Sequence, residues 1–322
     1  MKVVIPGGSG HLGTILSRAF REEGHDVVVL SRRPRRSAWR VVPWDGETLG
    51  EWAKEIDGAD AVLNLAGRSV NCRYTAANRQ QIFESRVRST RVIGAAIARC
   101  SRPPRVWLQS STATIYAHRY DAPNDERSGI LGGEEPHVPS AWRFSTDVAR
   151  AWEAALDGAV VLDTRKVALR SAIVMSSESG GVFEVLHRLV RLGLGGRAGD
   201  GRQFVSWIHH ADFTRAVRWL IEHDEVAGPV NLAAPLPLPQ AEFMRVLREA
   251  AGAPVGLLAT SWMLELGAIV LRTETELLLK SRRVVPARLL EGGFTFRYAS
   301  WPEAARDLCA PPSAAPKRRE IA

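Results

Sequence analysis

The chain has 322 residues, of which 45% are apolar and 24% charged, and its 43 basic and 35 acidic side chains give a formal net charge of +8. This composition excludes a disordered or fibrous protein, and the length allows one large or two modest globular domains. Three widely separated cysteines, Cys72, Cys100 and Cys309, argue against a disulfide framework or a zinc site. We therefore expect a cytoplasmic protein without a bound metal, and the basic character suits an anionic ligand.

A dinucleotide-binding pattern opens the chain. An apolar strand over residues 2–5 leads into glycines spaced three apart, and residues 12–20 repeat apolar side chains at helical spacing. Gly24 then ends the helix, and residues 26–30 form a second strand, which completes a β-α-β unit.

In this motif the three glycines have separate roles. They permit a tight turn, close approach of the backbone to a pyrophosphate, and close packing of helix on strand, while the helix N-terminus faces the phosphates. The alternative is an ordinary glycine-rich turn. The residues expected at the pyrophosphate are Gly7, Ser9, Gly10, His11, Leu12 and Gly13.

The end of the second strand indicates which dinucleotide is bound. An NAD site usually has an acidic residue here, which accepts hydrogen bonds from the ribose 2′-hydroxyl. Residues 31–36 instead have the sequence SRRPRR. Guanidinium groups pair with a 2′-phosphate in a bidentate fork, and a serine can add one hydrogen bond. We therefore predict NADP(H), held by Ser31, Arg32 and Arg33. The alternative, a nucleic-acid patch, lacks interleaved aromatic residues, so no nucleic-acid partner is expected.

Further cofactor contacts are expected after the third and fourth strands. The third strand covers residues 39–43, a helix is predicted over 48–56, and the fourth strand, residues 61–64, leads into a loop of small residues. Ligands of open α/β sheets lie beyond the carboxyl ends of the strands. The candidates at these two strand ends are Trp44, Asp45, Asn64, Leu65, Ala66 and Gly67.

Helices and strands continue to alternate to about residue 175. A long helix is predicted over residues 74–100, a fifth strand over 106–112, a helix over 141–156 and a sixth strand within 160–174. This alternation predicts a doubly wound parallel α/β sheet of the Rossmann type. Three more residues are placed with the cofactor, namely Arg86, Ser110 and Arg170.

The second half of the chain is less regular. We divide the chain into a nucleotide-binding domain over residues 1–175, completed by parts of 205–235, a smaller helical substrate lobe over 176–308, and a disordered tail over 309–322. Helices are predicted over residues 183–192, 213–223, 240–251 and 262–279, with a late strand at 230–233.

Neither a membrane segment nor a metal site is predicted in this half. The most apolar stretch, residues 262–271, is too short to span a bilayer, and no signal-peptide pattern precedes the first strand. His209 and His210 adjoin Asp212, but neighbouring residues of a strand point to opposite faces and cannot easily share an ion.

Several segments resemble the extended short-chain dehydrogenase/reductases. They are GGSGHLG at residues 7–13, NLAG at 64–67 and SSTATIY at 110–116, while RVVPARLLEGGFTFRY at 283–298 is similar to an atypical epimerase-like branch with a small C-terminal domain of unknown function. The resemblance extends to about residue 308. It implies an NADP-binding oxidoreductase or nucleotide-sugar epimerase, and we expect a monomer or homodimer acting on a small anionic or carbonyl substrate.

The catalytic pair of the wider family is missing. Its members use a tyrosine with a lysine four residues later to move a proton while hydride passes to or from the nicotinamide. None of the four tyrosines of this chain has a lysine at that spacing, and the expected place, residues 142–150, has the sequence WRFSTDVAR.

Three replacements are considered on the loop after the fifth strand. The resemblance maps a hydroxyl that hydrogen-bonds the substrate oxygen onto Thr112. Tyr116 is the first candidate for proton transfer because a phenol both donates and accepts, and His118 is the second because the ordinary pKa of histidine lies near neutrality. The alternative for Tyr116 and for His118 is a packed loop side chain. The sequence thus favours an NADP(H)-dependent oxidoreductase or epimerase-like enzyme, with a non-catalytic NADP(H)-binding sensor or a nucleic-acid-associated protein as alternatives.

Overall fold

The first β-α-β unit forms as the sequence predicts. The computed structural model describes residues 1–136, 138–258 and 276–311. Strands β1 (Lys2–Pro6) and β2 (Asp26–Ser31) pair in parallel, and helix α1 (His11–Glu22) connects them. The chain leaves α1 through Gly24, whose φ of +83° is a left-handed conformation that glycine adopts without strain.

Within the described residues, the main sheet has seven parallel strands. Besides β1 and β2 they are β3 (Arg40–Pro43), β4 (Ala61–Asn64), β5 (Val106–Thr112), β6 (Arg165–Ser171) and β10 (Gly228–Leu232). The strand order is β10-β6-β5-β4-β1-β2-β3, and it reverses beside β1, because β2 and β3 lie on one side of it and β4 onward on the other. This reversal opens the crevice in which open α/β sheets bind ligands, and it confirms the predicted doubly wound parallel sheet.

Helices cover both faces of the sheet. On one face, α1 and α5 (His210–Glu222) bury Phe20, Phe213 and Leu220 against the strands. On the other face, α2 (Ala76–Ile97) and α3 (Arg143–Asp157) pack with Trp52, Ile93 and Trp107. Burying both faces explains why the strands are nearly continuous apolar runs.

A second core lies beside the sheet. Trp301 stacks on Phe243 with ring centroids 4.0 Å apart and lies 5.0 Å from Trp207. The elements around this core and beyond it are α4 (Val182–Arg191), α6 (Gln240–Ala250), α7 (Glu276–Leu279), α8 (Ala287–Glu291), α9 (Trp301–Cys309), β7 (Ile173–Met175), β8 (Phe204–Val205), β9 (Trp207–His209) and β11 (Leu238–Pro239). Within the described ranges, no helix is both long and apolar enough to cross a bilayer.

Two local predictions were wrong. The helix predicted over residues 48–56 is only a 3₁₀ turn, Glu51–Glu55. The helix predicted from Phe213 begins at His210, because the ring Nδ1 of His209 accepts a hydrogen bond from the Ala211 N–H and caps it. The strand therefore ends at His209, and the rings of His209 and His210 lie 4.5 Å apart instead of on opposite faces. Residues 262–275 of the last predicted helix and 312–322 of the tail lie outside the described residues.

Candidate functional site

The glycine loop lies at the carboxyl end of β1. Gly7 has φ +75°, and a Cβ there would lie 2.6 Å from the Ala66 Cα, so the turn packs directly on the exit of β4. A Cβ at Gly13 would lie 2.4 Å from the Gly8 Cα. A Cβ at Gly10 would meet only the Gly7 carbonyl oxygen, at 3.7 Å. Packing therefore requires glycine at residues 7 and 13. It leaves room above residue 10, where the protein backbone is expected to approach the pyrophosphate.

The N-terminus of α1 is open to an anion. Gly10 precedes it without a side-chain cap, and its first turn contains no acidic residue. The His11 ring lies against Gly181, and its buried Nε2 has no hydrogen-bond partner among the described residues. Leu12 packs on the core beneath, and the exposed Ser9 lies at the mouth of the loop. An uncapped helix start and an orphaned ring nitrogen fit a bound phosphate.

The arginine run is linked to the glycine loop. The buried Ser31 hydroxyl donates to the Ser9 Oγ at 3.0 Å and accepts from the Arg33 N–H at 3.2 Å. Arg32 and Arg33 are exposed, and neither guanidinium has a carboxylate partner within the part of the chain that the structure describes. The backbone of this run therefore starts beside the glycine loop, and both arginine side chains are exposed to solvent there.

Trp44 and Asp45 follow β3 on the same edge. Trp44 is buried, and its backbone N–H donates to the Ser31 carbonyl oxygen at 3.3 Å. The Asp45 carboxylate accepts hydrogen bonds from the backbone N–H groups of Glu47 and Thr48 and from the Thr48 hydroxyl. The carboxylate is therefore engaged in its own turn, which leaves little capacity for a ribose.

The exit of β4 is fixed by a buried amide. Asn64 donates to the Gln109 side chain at 2.9 Å and accepts from the Ala66 N–H at 3.0 Å, while the Leu65 N–H donates to the Pro6 carbonyl oxygen at 2.8 Å. The Asn64 side chain thus holds the loop in place, and the surface it presents to the crevice is the backbone of Ala66 and Gly67.

Arg86 lies directly behind that loop. A Cβ at Gly67 would lie 3.2 Å from the Arg86 Cζ, and the guanidinium donates to the carbonyl oxygens of Arg68 and Ile82 and lies 4.9 Å from the Trp152 ring. Burial lowers the pKa of Arg86 to about 10, so the group stays cationic at neutral pH. It contributes positive potential beneath Gly67 while its hydrogen bonds go to the protein.

Ser110 and Thr112, at the end of β5, lie on the same face of the strand. Ser110 and Thr112 are half-buried, whereas the Ser111 between them is buried and donates to Glu153 at 2.6 Å. The Thr112 Oγ1 accepts from the Thr114 N–H at 3.1 Å. Because a hydroxyl both accepts and donates, Thr112 retains a proton that it can donate to a substrate oxygen.

Tyr116 and Arg170 do not fit their predicted roles. Tyr116 is 2% exposed, its hydroxyl donates to the Asn231 Oδ1 at 2.9 Å, and it accepts from Arg170 at 2.9 Å. Arg170 makes a bidentate pair with Glu153, at 2.9 and 2.7 Å. Burial raises the pKa of the Tyr116 phenol despite the opposing charge of Arg170, and a proton-transferring tyrosine needs the reverse shift. In place of the predicted proton-transfer role of Tyr116 and cofactor contact of Arg170, the structure shows both side chains in a buried polar network.

The His118 ring is held in one orientation by the C-terminal region. Its Nδ1 accepts from the Ser281 N–H at 2.8 Å, so the proton of the neutral ring is on Nε2. Its ring packs edge-on against Tyr120 and Trp142. Burial, with the charge of Lys280 adding to it, lowers the pKa of His118, so the ring is a neutral hydrogen-bond donor at pH 7.

Sequence reasoning missed the groups that surround these residues. Glu153 was not among the predicted site residues, although it is the partner of Arg170. Lys280 and Arg282, from the segment after α7, both donate to Thr114, which lies 166 and 168 residues earlier in the chain. No local pattern signals contacts over such distances.

Comparisons with known proteins agree with this architecture. A model described as the NAD dependent epimerase/dehydratase family matches residues 3–233, and one described as a domain of unknown function (DUF1731) matches residues 259–308. The epimerase family protein SDR39U1 of Bos taurus is 31% identical over 316 residues, covering 96% of this chain and 100% of that protein.

Solved structures give the same result. The human epimerase family protein SDR39U1 (isoform 2) with NADPH has a TM-score of 0.84 at 28% identity, covering 96% of this chain and 99% of that one. A nucleoside-diphosphate sugar epimerase from Corynebacterium glutamicum has a TM-score of 0.75 at 27% identity, covering 96% of this chain and 58% of that one.

Proposed function

This chain belongs to the NAD dependent epimerase/dehydratase family, and from that membership we propose that it is an NADP(H)-dependent oxidoreductase or epimerase acting on a carbonyl or secondary alcohol of a small anionic substrate. The observation that carries the proposal is the hydrogen bond between Ser9 and Ser31, which joins the open glycine loop to two unpaired arginines. The human relative SDR39U1 was solved with NADPH, which supports the same cofactor here.

The residues present fit that cofactor. The room above Gly10 and the uncapped start of α1 suit a pyrophosphate, Arg32 and Arg33 suit a 2′-phosphate, and the backbone at Gly67 suits a ribose. When bound, the nicotinamide would supply or accept the hydride. In this proposal the Thr112 hydroxyl would donate to the substrate oxygen, and the Nε2–H of His118 would be a second donor on the same loop.

The arginine clamp gives a direct test. Replacing Arg32 and Arg33 together with alanine is expected to weaken NADPH binding about a hundredfold, since charged hydrogen bonds contribute about 1.5–3 kcal/mol each. NADH, which lacks the 2′-phosphate, should lose little affinity. Fluorescence titration of both nucleotides measures this. The control is Arg35→Ala with Arg36→Ala, farther along the same exposed run; equal weakening by both double variants would contradict the clamp.

Turnover tests the enzymatic part of the proposal. With a panel of nucleotide sugars and small carbonyl compounds, an oxidoreductase should oxidise NADPH, whereas an epimerase should invert the substrate with no net change in the cofactor, which product analysis detects. In either case Thr112→Val should lower kcat/KM about tenfold to a hundredfold with NADPH affinity unchanged. Thr214→Val, which removes a hydroxyl that bonds the His210 carbonyl within α5, is the matched control.

A non-catalytic NADP(H)-binding protein is the second candidate. The burial of Tyr116 in a structural network favours it, because it removes the family's usual kind of proton-transferring group from the crevice. Selective NADPH binding without turnover of any compound in the panel would support this candidate against the enzyme.

A further inference from the structure

One segment of the C-terminal region reaches the loop after β5 and α3 together. This segment, residues 276–285, begins with α7 and continues as extended chain. The Ser145 hydroxyl, in the first turn of α3, donates to Glu276 at 2.6 Å. At its other end, backbone hydrogen bonds join the segment to Asn124. It therefore lies against the part of α3 where the family's tyrosine–lysine pair would be expected.

Two cations of this segment converge on the turn that carries Thr112. Residue 280 follows the last turn of α7, where its N–H donates to the Glu276 carbonyl oxygen, and residue 282 lies just beyond it. The Lys280 Nζ donates to the Thr114 carbonyl oxygen at 2.9 Å, and the Arg282 Nε donates to the Thr114 Oγ1 at 3.0 Å. Since the Thr114 N–H donates to the Thr112 Oγ1, the ammonium and the candidate substrate-binding hydroxyl belong to one turn.

The Lys280 ammonium is buried close to carboxylates and to a second cation. Its side chain is 2% exposed, and Glu276 Oε1 is 4.0 Å away. The other charged or titratable groups near it are Arg282, the His118 ring, and Glu135, which accepts from the His118 N–H. Burial and then the charge of Arg282 lower the pKa of Lys280 to about 8, against the raising effect of Glu276 and Glu135. The amine therefore changes protonation close to neutrality.

The choice of lysine here is informative. The chain has only five lysines, Lys2, Lys54, Lys166, Lys280 and Lys317, among 43 basic side chains, and arginine makes most of its described ion pairs. Arg282 already supplies a guanidinium to the same turn. A guanidinium does not release its proton in proteins, whereas a buried ammonium can.

We propose that the Nζ of Lys280 exchanges a proton with the substrate oxygen, in place of the tyrosine–lysine pair that α3 lacks. This inference rests on the proposed function. In the reducing direction a carbonyl gains a hydride at carbon, supplied by the cofactor, and one proton at oxygen, released by Nζ. The product is the alcohol, and the amine left behind is protonated again from water. Thr112 donates a hydrogen bond to the same oxygen.

A test that needs no substrate follows the amine itself. With 13C at lysine Cε, the chain gives only five signals, and Lys280→Gln identifies the one from Lys280. Oxidised nicotinamide carries a positive charge that reduced nicotinamide lacks. If Nζ lies beside the reacting centre, its titration midpoint should be lower with NADP⁺ bound than with NADPH bound, by about one to two units.

The other lysines are internal controls. Lys166 donates to the carbonyl oxygens of Leu156, Asp157 and Ala159, and Lys54 is exposed, so neither midpoint should depend on the redox state. A Lys280 midpoint that is equal in both complexes would overturn the inference while leaving the proposed function intact. Failure to bind either nucleotide would instead refute the proposed function, and the inference with it.

Turnover gives the second arm of the test. For a carbonyl compound in the panel that the protein reduces, kcat should fall above about pH 8, because the protonated amine is the reactive form. Lys280→Met should lower kcat by about a hundredfold or more, the usual contribution of a general acid. Added primary amines should restore part of the rate. Unchanged kcat in a folded, NADPH-binding Lys280→Met protein would contradict the proposal.

Discussion

Replacing Arg170 with methionine is expected to destabilise the protein by about 3–5 kcal/mol, because Glu153 would remain buried without its cation. The two side chains are 8% and 12% exposed and joined by two hydrogen bonds. Burial acts against the charge of Arg170, but hydrogen bonds to Glu153 hold the pKa of Arg170 above its usual value, so the guanidinium stays charged. Urea unfolding, compared at equal m-value, measures the loss.

An exposed pair on the same helix is the control. Arg143 and Asp147 of α3 are more than half exposed and 3.9 Å apart, so Arg143→Met should cost less than about 1 kcal/mol. If Arg170→Met were equally mild while NADPH affinity fell sharply, Arg170 would belong to the cofactor site as the sequence suggested.

Tyr116→Phe separates the two roles considered for this phenol. Loss of its hydroxyl leaves Asn231 and Arg170 each short of one partner, so we expect a destabilisation of about 1–3 kcal/mol with turnover per folded molecule unchanged. A large loss of kcat at unchanged stability would restore Tyr116 as the proton-transferring group.

The glycine loop gives the second large effect, in a pair of variants. Gly13→Ala places a Cβ 2.4 Å from backbone of Gly8, so α1 must move, and we expect about 1–3 kcal/mol of lost stability together with lost NADPH binding. Gly10→Ala meets nothing closer than 3.7 Å and has φ −79°, so stability should change by less than about 0.5 kcal/mol.

NADPH affinity distinguishes these variants from ordinary packing changes. The methyl group of the Gly10→Ala variant would occupy the room in which a pyrophosphate is expected. NADPH affinity should therefore fall about tenfold or more in a protein of normal stability. Thermal unfolding and fluorescence titration measure the two quantities separately. Normal NADPH affinity in folded Gly10→Ala protein would place the cofactor elsewhere.

The fold was predictable because its signals are local. The buried strands are short apolar runs, and Gly24 marks the end of the first helix at the position where the chain needs a positive φ. The glycine loop and the arginine run lie within the first 36 residues, so the register of β1 and β2 brings them together without further information.

The catalytic region was less predictable because its contacts are distant in the chain. Arg170 ends a strand near the crevice, but its partner Glu153 is on a helix whose rotation the sequence does not fix. The ring of His118 is oriented by Ser281, 163 residues later. A sequence gives the face of an element from its periodicity, but not which distant segment will pack on that face.

The late position of residues 276–285 also bears on how the protein is made. During synthesis, β1 to β6 leave the ribosome first and can already bury their apolar faces against α1, α2 and α3. The hydrogen bonds that residues 280–285 make to Thr114, His118 and Asn124 cannot form until at least 280 residues have been translated. Closing so long a loop is slow compared with pairing of neighbouring strands. The nascent chain can therefore form most of the parallel sheet before the candidate catalytic region is complete.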